Sequence, residues 1–164
     1  MNIFDYFRHK TLPSTYIIPA NFNGEVRIAF GLDCGIEPEI KNGFRVLKIP
    51  ANGILLLKSE YKDGIINSEN EHYYFEGKTG IEIPQIYWEH QKDSLKQSYM
   101  HGYYTKLDGK LFKYKADIPF ITFHIYNNDT INLTPELVYK YSQQSDSVFE
   151  SEIKKCVTKR TFSI

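Results

Sequence analysis

Alternation of apolar and polar residues dominates the first three quarters of the chain. In Glu25-Val26-Arg27-Ile28-Ala29-Phe30, one face carries Val26, Ile28 and Phe30 and the other Glu25, Arg27 and Ala29. A period of two predicts a strand with one face on a core and the other toward water. Before it, Ser14–Pro19 is β-branched and aromatic and stops at a proline, as a strand end does. Asn21-Phe-Asn-Gly24 supplies the turn between the two. Residues 31–43 form a long connection, a type of segment that in compact domains is often functional or mobile.

Phe44–Ile49 and Ile54–Lys58 flank Pro50-Ala51-Asn52-Gly53. Proline presets φ at the first corner and Asn-Gly supplies the positive φ that closes a hairpin, so a hairpin is predicted here. His72–Phe75 is a short strand, and a turn over 76–80 leads into Ile81-Glu82-Ile83. Residues 102–107 and 110–115 around Asp108-Gly109 read as a second hairpin. Phe120–Tyr126 is apolar on both faces, which predicts a central strand. Residues 85–101 fit neither period, and a short helix over Asp93–Met100 is one reading of them.

The period changes near the end. Thr134-Pro135-Glu136 has an N-cap residue, a proline at the first helical position and an acid in the first turn. Val138, Tyr141, Ser145, Val148, Phe149, Ile153 and Cys156 then recur at spacings of three and four, one face of a helix. The weak helix formers 142–147 predict one interrupted helix or two short ones. Lys154, Lys155, Lys159 and Arg160 crowd the last turns, where the helix dipole favours cations. The expected fold class is mainly β, an antiparallel β-sandwich-like domain with a C-terminal α-helical segment. Residues 1–164 are expected to form one domain, with a β-rich body over 14–126 and the helical segment over 134–160.

Composition narrows the function classes. The 164 residues include 13 Tyr and 11 Phe, an aromatic load that a disordered chain does not carry. Lys and Arg total 20 and Asp and Glu total 20, so the electrostatic footprint of a general nucleic-acid binder is missing. No apolar run approaches 18 residues, so no transmembrane helix is expected. The two cysteines, Cys34 and Cys156, are far apart and in no Cys-x-x-Cys arrangement, which favours two independent thiols. The alternative is a single bridge tying the C-terminal segment to an early loop.

Candidate chemistry is sparse. His9, His72, His90, His101 and His124 form no ligand pair at metal-binding spacing. His90 and His101 flank the ambiguous segment and with Glu89 make the one arguable metal-dependent hydrolase site. No nucleophile elbow and no phosphate-binding loop is present, and Gly77-Lys78-Thr79 reads as a turn. Tyr87, Trp88, Tyr99, Tyr103 and Tyr104 cluster along the chain. Such residues fill β-rich cores and also anchor recognition of proteins and sugars, so they are the candidate binding residues.

The succession Tyr16-Ile-Ile-Pro19, Gly24-x-Val26-x-Ile28, Asn42-Gly43-x-Arg45-Val46, Ile49-Pro50-x-Asn52-Gly53-Ile54-Leu55 and Tyr73-Tyr74-Phe75 before Gly80 resembles a family of small bacterial domains of unknown function. These domains occur in Bacteroidota and some Firmicutes, often behind a lipoprotein or secretion signal. The resemblance covers about residues 14–83, rests on strand and turn residues, and implies a fold but no catalytic residue. This chain shows no such leader and adds the long C-terminal helical segment. A cytoplasmic location is therefore the expectation for the chain as it stands, and export or lipid anchoring for a trimmed one. The leading functional expectation is a non-catalytic binding module with a protein partner and no cofactor, for instance an immunity or inhibitor protein. The metal-dependent hydrolase and a cell-envelope structural domain are the alternatives.

Overall fold

The computed structural model describes residues 12–60, 71–78, 80–83, 98–101, 105–107, 118–126 and 134–158. Within them run nine strands, β1 (Ser14–Ile18), β2 (Gly24–Ala29), β3 (Glu39–Lys41), β4 (Phe44–Lys48), β5 (Ile54–Leu56), β6 (His72–Phe75), β7 (Ser98–His101), β8 (Thr105–Leu107) and β9 (Ile118–Tyr126), followed by helix α1 (Pro135–Thr158). One sheet has the order β3-β4-β1-β6. The other has the order β5-β2-β9-β7, with β8 also paired to β9.

Alternation places the sheets face to face. Tyr16, Ile18, Leu47, Tyr73 and Phe75 from the first sheet share one core with Val26, Ile28, Leu55, Ile121, Phe123 and Ile125 from the second. Tyr16 and Tyr73, in register on β1 and β6, stack with ring centroids 4.5 Å apart, and the ring of Phe123 meets both edge-on. Helix α1 covers the far face of the second sheet, where Phe149 and Ile153 pack with Ala29, Ile54, Ile118 and Phe120. The molecule is thus a two-sheet, sandwich-like β fold backed by a C-terminal helix. As its two apolar faces predict, β9 is central, with β2 on one side and β7 and β8 on the other.

Four local expectations change. First, the pairing is mixed rather than antiparallel throughout, because β1 runs parallel to both β4 and β6, and β2 parallel to β5. Second, Pro50–Gly53 does turn the chain, with the Gly53 amide donating to the Pro50 carbonyl at 2.9 Å, but it is no hairpin. It hands the chain from one sheet to the other, since β4 pairs with β1 and β3 while β5 pairs with β2. The hairpin belongs to a different Asn-Gly pair, Asn42-Gly43, where both residues have positive φ (52° and 81°) between paired Lys41 and Phe44. Two positive φ values are what a two-residue hairpin turn needs. At 52–53 only Gly53 has one (78°), and the Asn52 side chain instead accepts the Ile54 amide at 3.0 Å.

Third, Ser98–His101 is a strand paired to β9, so no helix runs through Met100. Fourth, α1 is one continuous helix of 24 residues, capped by the Thr134 hydroxyl, which accepts the Leu137 amide at 3.3 Å. The C-terminal strand of the second expected hairpin, 110–115, lies outside the described residues.

Cys34 and Cys156 form a disulfide, with Cα atoms 5.6 Å apart and 122 residues between them in sequence. Separation along the chain favoured independent thiols; packing the helix end against the loop after β2 overrides it. Cys34 is exposed and Cys156 is buried in the helix–sheet core.

Candidate functional site

The face of β2 expected to meet water is covered by α1, and all six residues of β2 are buried. Glu25 and Arg27 therefore sit inside the protein, and the side chains around them answer their charge. The β2–β9 register sets Glu25 directly opposite His124, whose Nε2 lies 3.0 Å from Glu25 Oε2. Arg27 Nε donates to Glu25 Oε1 at 2.5 Å, and Arg27 Nη2 reaches Asp146 Oδ1 of the helix at 2.7 Å. Ser142 Oγ donates to Glu25 Oε2 at 2.5 Å. The guanidinium carbon of Arg27 stands 5.6 Å and 5.4 Å from the ring centres of Phe120 and Phe149, within cation–π range of both.

The electrostatics follow from that wiring. Burial alone pushes the Glu25 carboxyl up, but His124, Ser142 and Arg27 together outweigh it and hold its pKa down to about 2. A carboxylate so stabilised is a permanent anion at neutral pH and a weak base. The arrangement is also in the wrong order for a serine nucleophile. In a serine–histidine–acid relay the imidazole stands between hydroxyl and carboxylate. Here Ser142 and His124 both meet the same Glu25 oxygen, so the serine proton faces an acceptor that does not remove it. The cluster fastens the helix to the sheet.

A second buried carboxylate lies in the core between the sheets. Tyr73 OH donates to Glu71 Oε2 at 2.9 Å and Tyr16 OH to Glu71 Oε1 at 3.2 Å, which satisfies both stacked phenols and the acid. At the surface, His72 Nδ1 meets Glu82 Oε1 at 2.9 Å.

Of the residues expected to carry recognition or hydrolase chemistry, only Tyr99 and His101 are among those described. Tyr87, Trp88, Glu89, His90, Tyr103 and Tyr104 lie outside the described residues. Tyr99 is on β7 in register with Ile125, and His101 on the same strand in register with Phe123. Among the described residues no group of three or more His, Cys, Asp or Glu side chains is placed to hold a metal ion. No helix among them is long and apolar enough to cross a membrane.

Sequence reasoning missed the Glu25 cluster because Glu-x-Arg on an alternating strand ordinarily faces solvent. Its one signal was on the helix, where Ser142 and Asp146 share, at a spacing of four, a stripe otherwise bound for a core.

The long connection expected over 31–43 is shorter than that, because β3 takes up Glu39–Lys41 and Asn42-Gly43 is its hairpin turn; the remaining segment, 31–38, is held at several points. Gly35 packs so tightly against β5's continuation that an added Cβ would meet the Leu57 carbonyl carbon at 2.4 Å. Ile36 exchanges backbone hydrogen bonds with that strand, its amide to the Leu56 carbonyl and its carbonyl from the Lys58 amide, at 2.9 Å and 3.0 Å. Ile36 and Ile40 nevertheless leave 54% of their surface in water.

Fold and site together define a helix-backed β-sandwich whose buried charges are structural. The chain belongs to a family of unknown function, DUF6843, whose sequence profile matches residues 10–115. No curated protein matches it at a significant level. In three dimensions it is similar to the crystal structure of a "putative lipoprotein from Bacillus anthracis", at a TM-score of 0.52 and 15% identity, with 79% of this chain and 78% of that one covered. At that identity the likeness concerns the fold alone.

Proposed function

We propose that this protein is a non-catalytic binding module that works outside the cytoplasm of a bacterium and docks a protein partner through the segment over 31–38. The disulfide between Cys34 and Cys156 carries this reading. Such bonds persist in oxidising compartments and are rare where thiols are kept reduced. The bridge is also placed where a binding loop gains from it. Cys34 lies in the exposed segment, and fixing that segment before contact lowers the entropy lost on binding. The lipoprotein description of the structural neighbour agrees with an envelope location, soluble or lipid-anchored. An immunity or inhibitor protein that caps a toxin is the specific form this takes.

The test is made in the native host. Cell fractionation with alkylation of free thiols before lysis should find the protein outside the cytoplasm with both cysteines blocked. Affinity capture should then retain the product of a neighbouring gene, and Ile36→Asp should release it. Free thiols in a cytoplasmic fraction, or capture unaffected by Ile36→Asp, would overturn the proposal.

A further inference from the structure

Among the described residues, strand β3 forms one edge of the first sheet, and all three of its residues are exposed. Its partner β4 leaves that edge open in a defined way. The two-residue turn at Asn42-Gly43 makes Lys41 and Phe44 the hydrogen-bonded pair that closes the hairpin. The next pair, Ile40 with Arg45, is then a non-hydrogen-bonded one. The Arg45 amide bears this out by pointing away from β3, donating to the Pro13 carbonyl at 2.8 Å. By the same alternation the N–H and C=O of Ile40 are directed outward, to the open side of the sheet.

We infer that β3 pairs antiparallel with β3 of a second copy about a two-fold axis through Ile40, joining the two four-stranded sheets into one. Two separate features select that axis. The outward backbone groups of Ile40 exchange a pair of hydrogen bonds with those of its symmetry mate. The same centring sets Glu39 opposite Lys41 of the second copy, and Lys41 opposite its Glu39, which are opposite charges in direct cross-strand register. Centring on Glu39 or on Lys41 would instead oppose like charges. A two-fold interface must be self-complementary in this sense.

Ile40, 54% exposed in the single chain, meets its own copy at the centre and is partly covered by it. Pro38 has no N–H to donate, so the seam is confined to the strand itself. A seam this short belongs to the class of weak, concentration-dependent contacts. Tethering to a membrane or crowding would favour it. The dimer presents the 31–38 segment twice, and its formation is independent of the binding function proposed above.

Sedimentation velocity of the intact protein up to about 1 mM, the range of weak self-association, tests the inference. The wild type should shift from monomer to dimer with concentration. Ile40→Lys should abolish the shift, and Glu39→Lys and Lys41→Glu should each weaken it about tenfold, as reversal of two symmetric pairs implies. An equimolar mixture of Glu39→Lys and Lys41→Glu chains should associate again, because both strand lysines of the first variant then face glutamates of the second. A wild type that stays monomeric throughout, a dimer indifferent to these variants, or a mixture no better than its components would overturn it. Since all three positions are exposed, the variants fold.

Discussion

Glu25 and His124 face each other across β2 and β9, with His124 Nε2 3.0 Å from Glu25 Oε2 beneath a helix that also sends Ser142 to the same oxygen. The carboxyl has its pKa lowered from 4.5 to about 2, against a burial that would raise it. A folded-state pKa below the unfolded one means stability that is complete above the unfolded value and is lost as pH falls toward the folded one. Glu25 should therefore contribute about 3 kcal/mol above pH 4.5, fading as pH drops to about 2. Urea unfolding of wild type and Glu25→Gln across pH 2–7 measures this. The difference between the two should be largest at neutral pH and shrink through that window.

Arg27 and Asp146 separate buried from exposed electrostatics within one contact. The Asp146 side chain keeps 58% of its surface in water, while that of Arg27 keeps 11%. Removing the exposed partner by Asp146→Ala should cost no more than about 1 kcal/mol. Removing the buried one by Arg27→Ala leaves Glu25 beside an empty space without its guanidinium partner, at about 3–5 kcal/mol. Arg27→Met combined with Glu25→Leu restores an apolar match between Phe120, Phe149 and the helix and should recover much of that loss. Equilibrium unfolding of the variants gives the ordering, and equal losses for Asp146→Ala and Arg27→Ala would show that burial does not govern the cluster.

Much of the fold was legible because it rests on local rules. The alternation over 25–30, the proline stop at Pro19, the two-sided apolarity of 120–126 and the capping at Thr134-Pro135 all act within a few residues, and each element formed where it pointed. What escaped depended on which elements meet. Asn42-Gly43 and Asn52-Gly53 carry the same turn chemistry, and only the pairing partner of β5 decides that the one at 52–53 crosses between sheets. Glu25 and Arg27 read as solvated because nothing in β2 announces the helix that lands on it. Ser142 and Asp146, which look like helix breakers, are the groups that satisfy those buried charges, so the helix continues through them. The candidate recognition aromatics were legible only as a composition, with no geometric rule linking Tyr87 to Tyr104.

The disulfide joins residues 122 apart in sequence, so reduction should release a large loop in the unfolded chain. On the chain-entropy account a closure of that size is worth about 4–5 kcal/mol. For a chain of this length that corresponds to a fall in Tm of about 10 °C or more. Calorimetry with and without a reductant that reaches the exposed Cys34 provides the measurement. A Cys34→Ser chain should show the lower value in both conditions, and an unchanged Tm on reduction would place the bond outside the cooperative unit.

Two glycines of similar backbone conformation should respond very differently to one methyl group. Gly43 has φ +81° and Gly53 φ +78°, a region that L side chains enter at a cost of about 1 kcal/mol. At Gly43 an added Cβ meets nothing within 4 Å, so Gly43→Ala should cost about that conformational amount and no more. At Gly53 the same atom lands 2.8 Å from the Glu25 carbonyl oxygen and 2.8 Å from the Phe22 ring. The Phe22 ring can rotate, but the Glu25 carbonyl belongs to the buried strand that positions the charge cluster. Arg27 also takes its backbone hydrogen bond from its amide to the Gly53 carbonyl at 2.9 Å. Gly53→Ala should thus add overpacking of about 1–3 kcal/mol to the backbone strain. It should also disturb Glu25, visible as a smaller acid-dependent loss of stability than in wild type, whereas Gly43→Ala leaves that pH dependence intact.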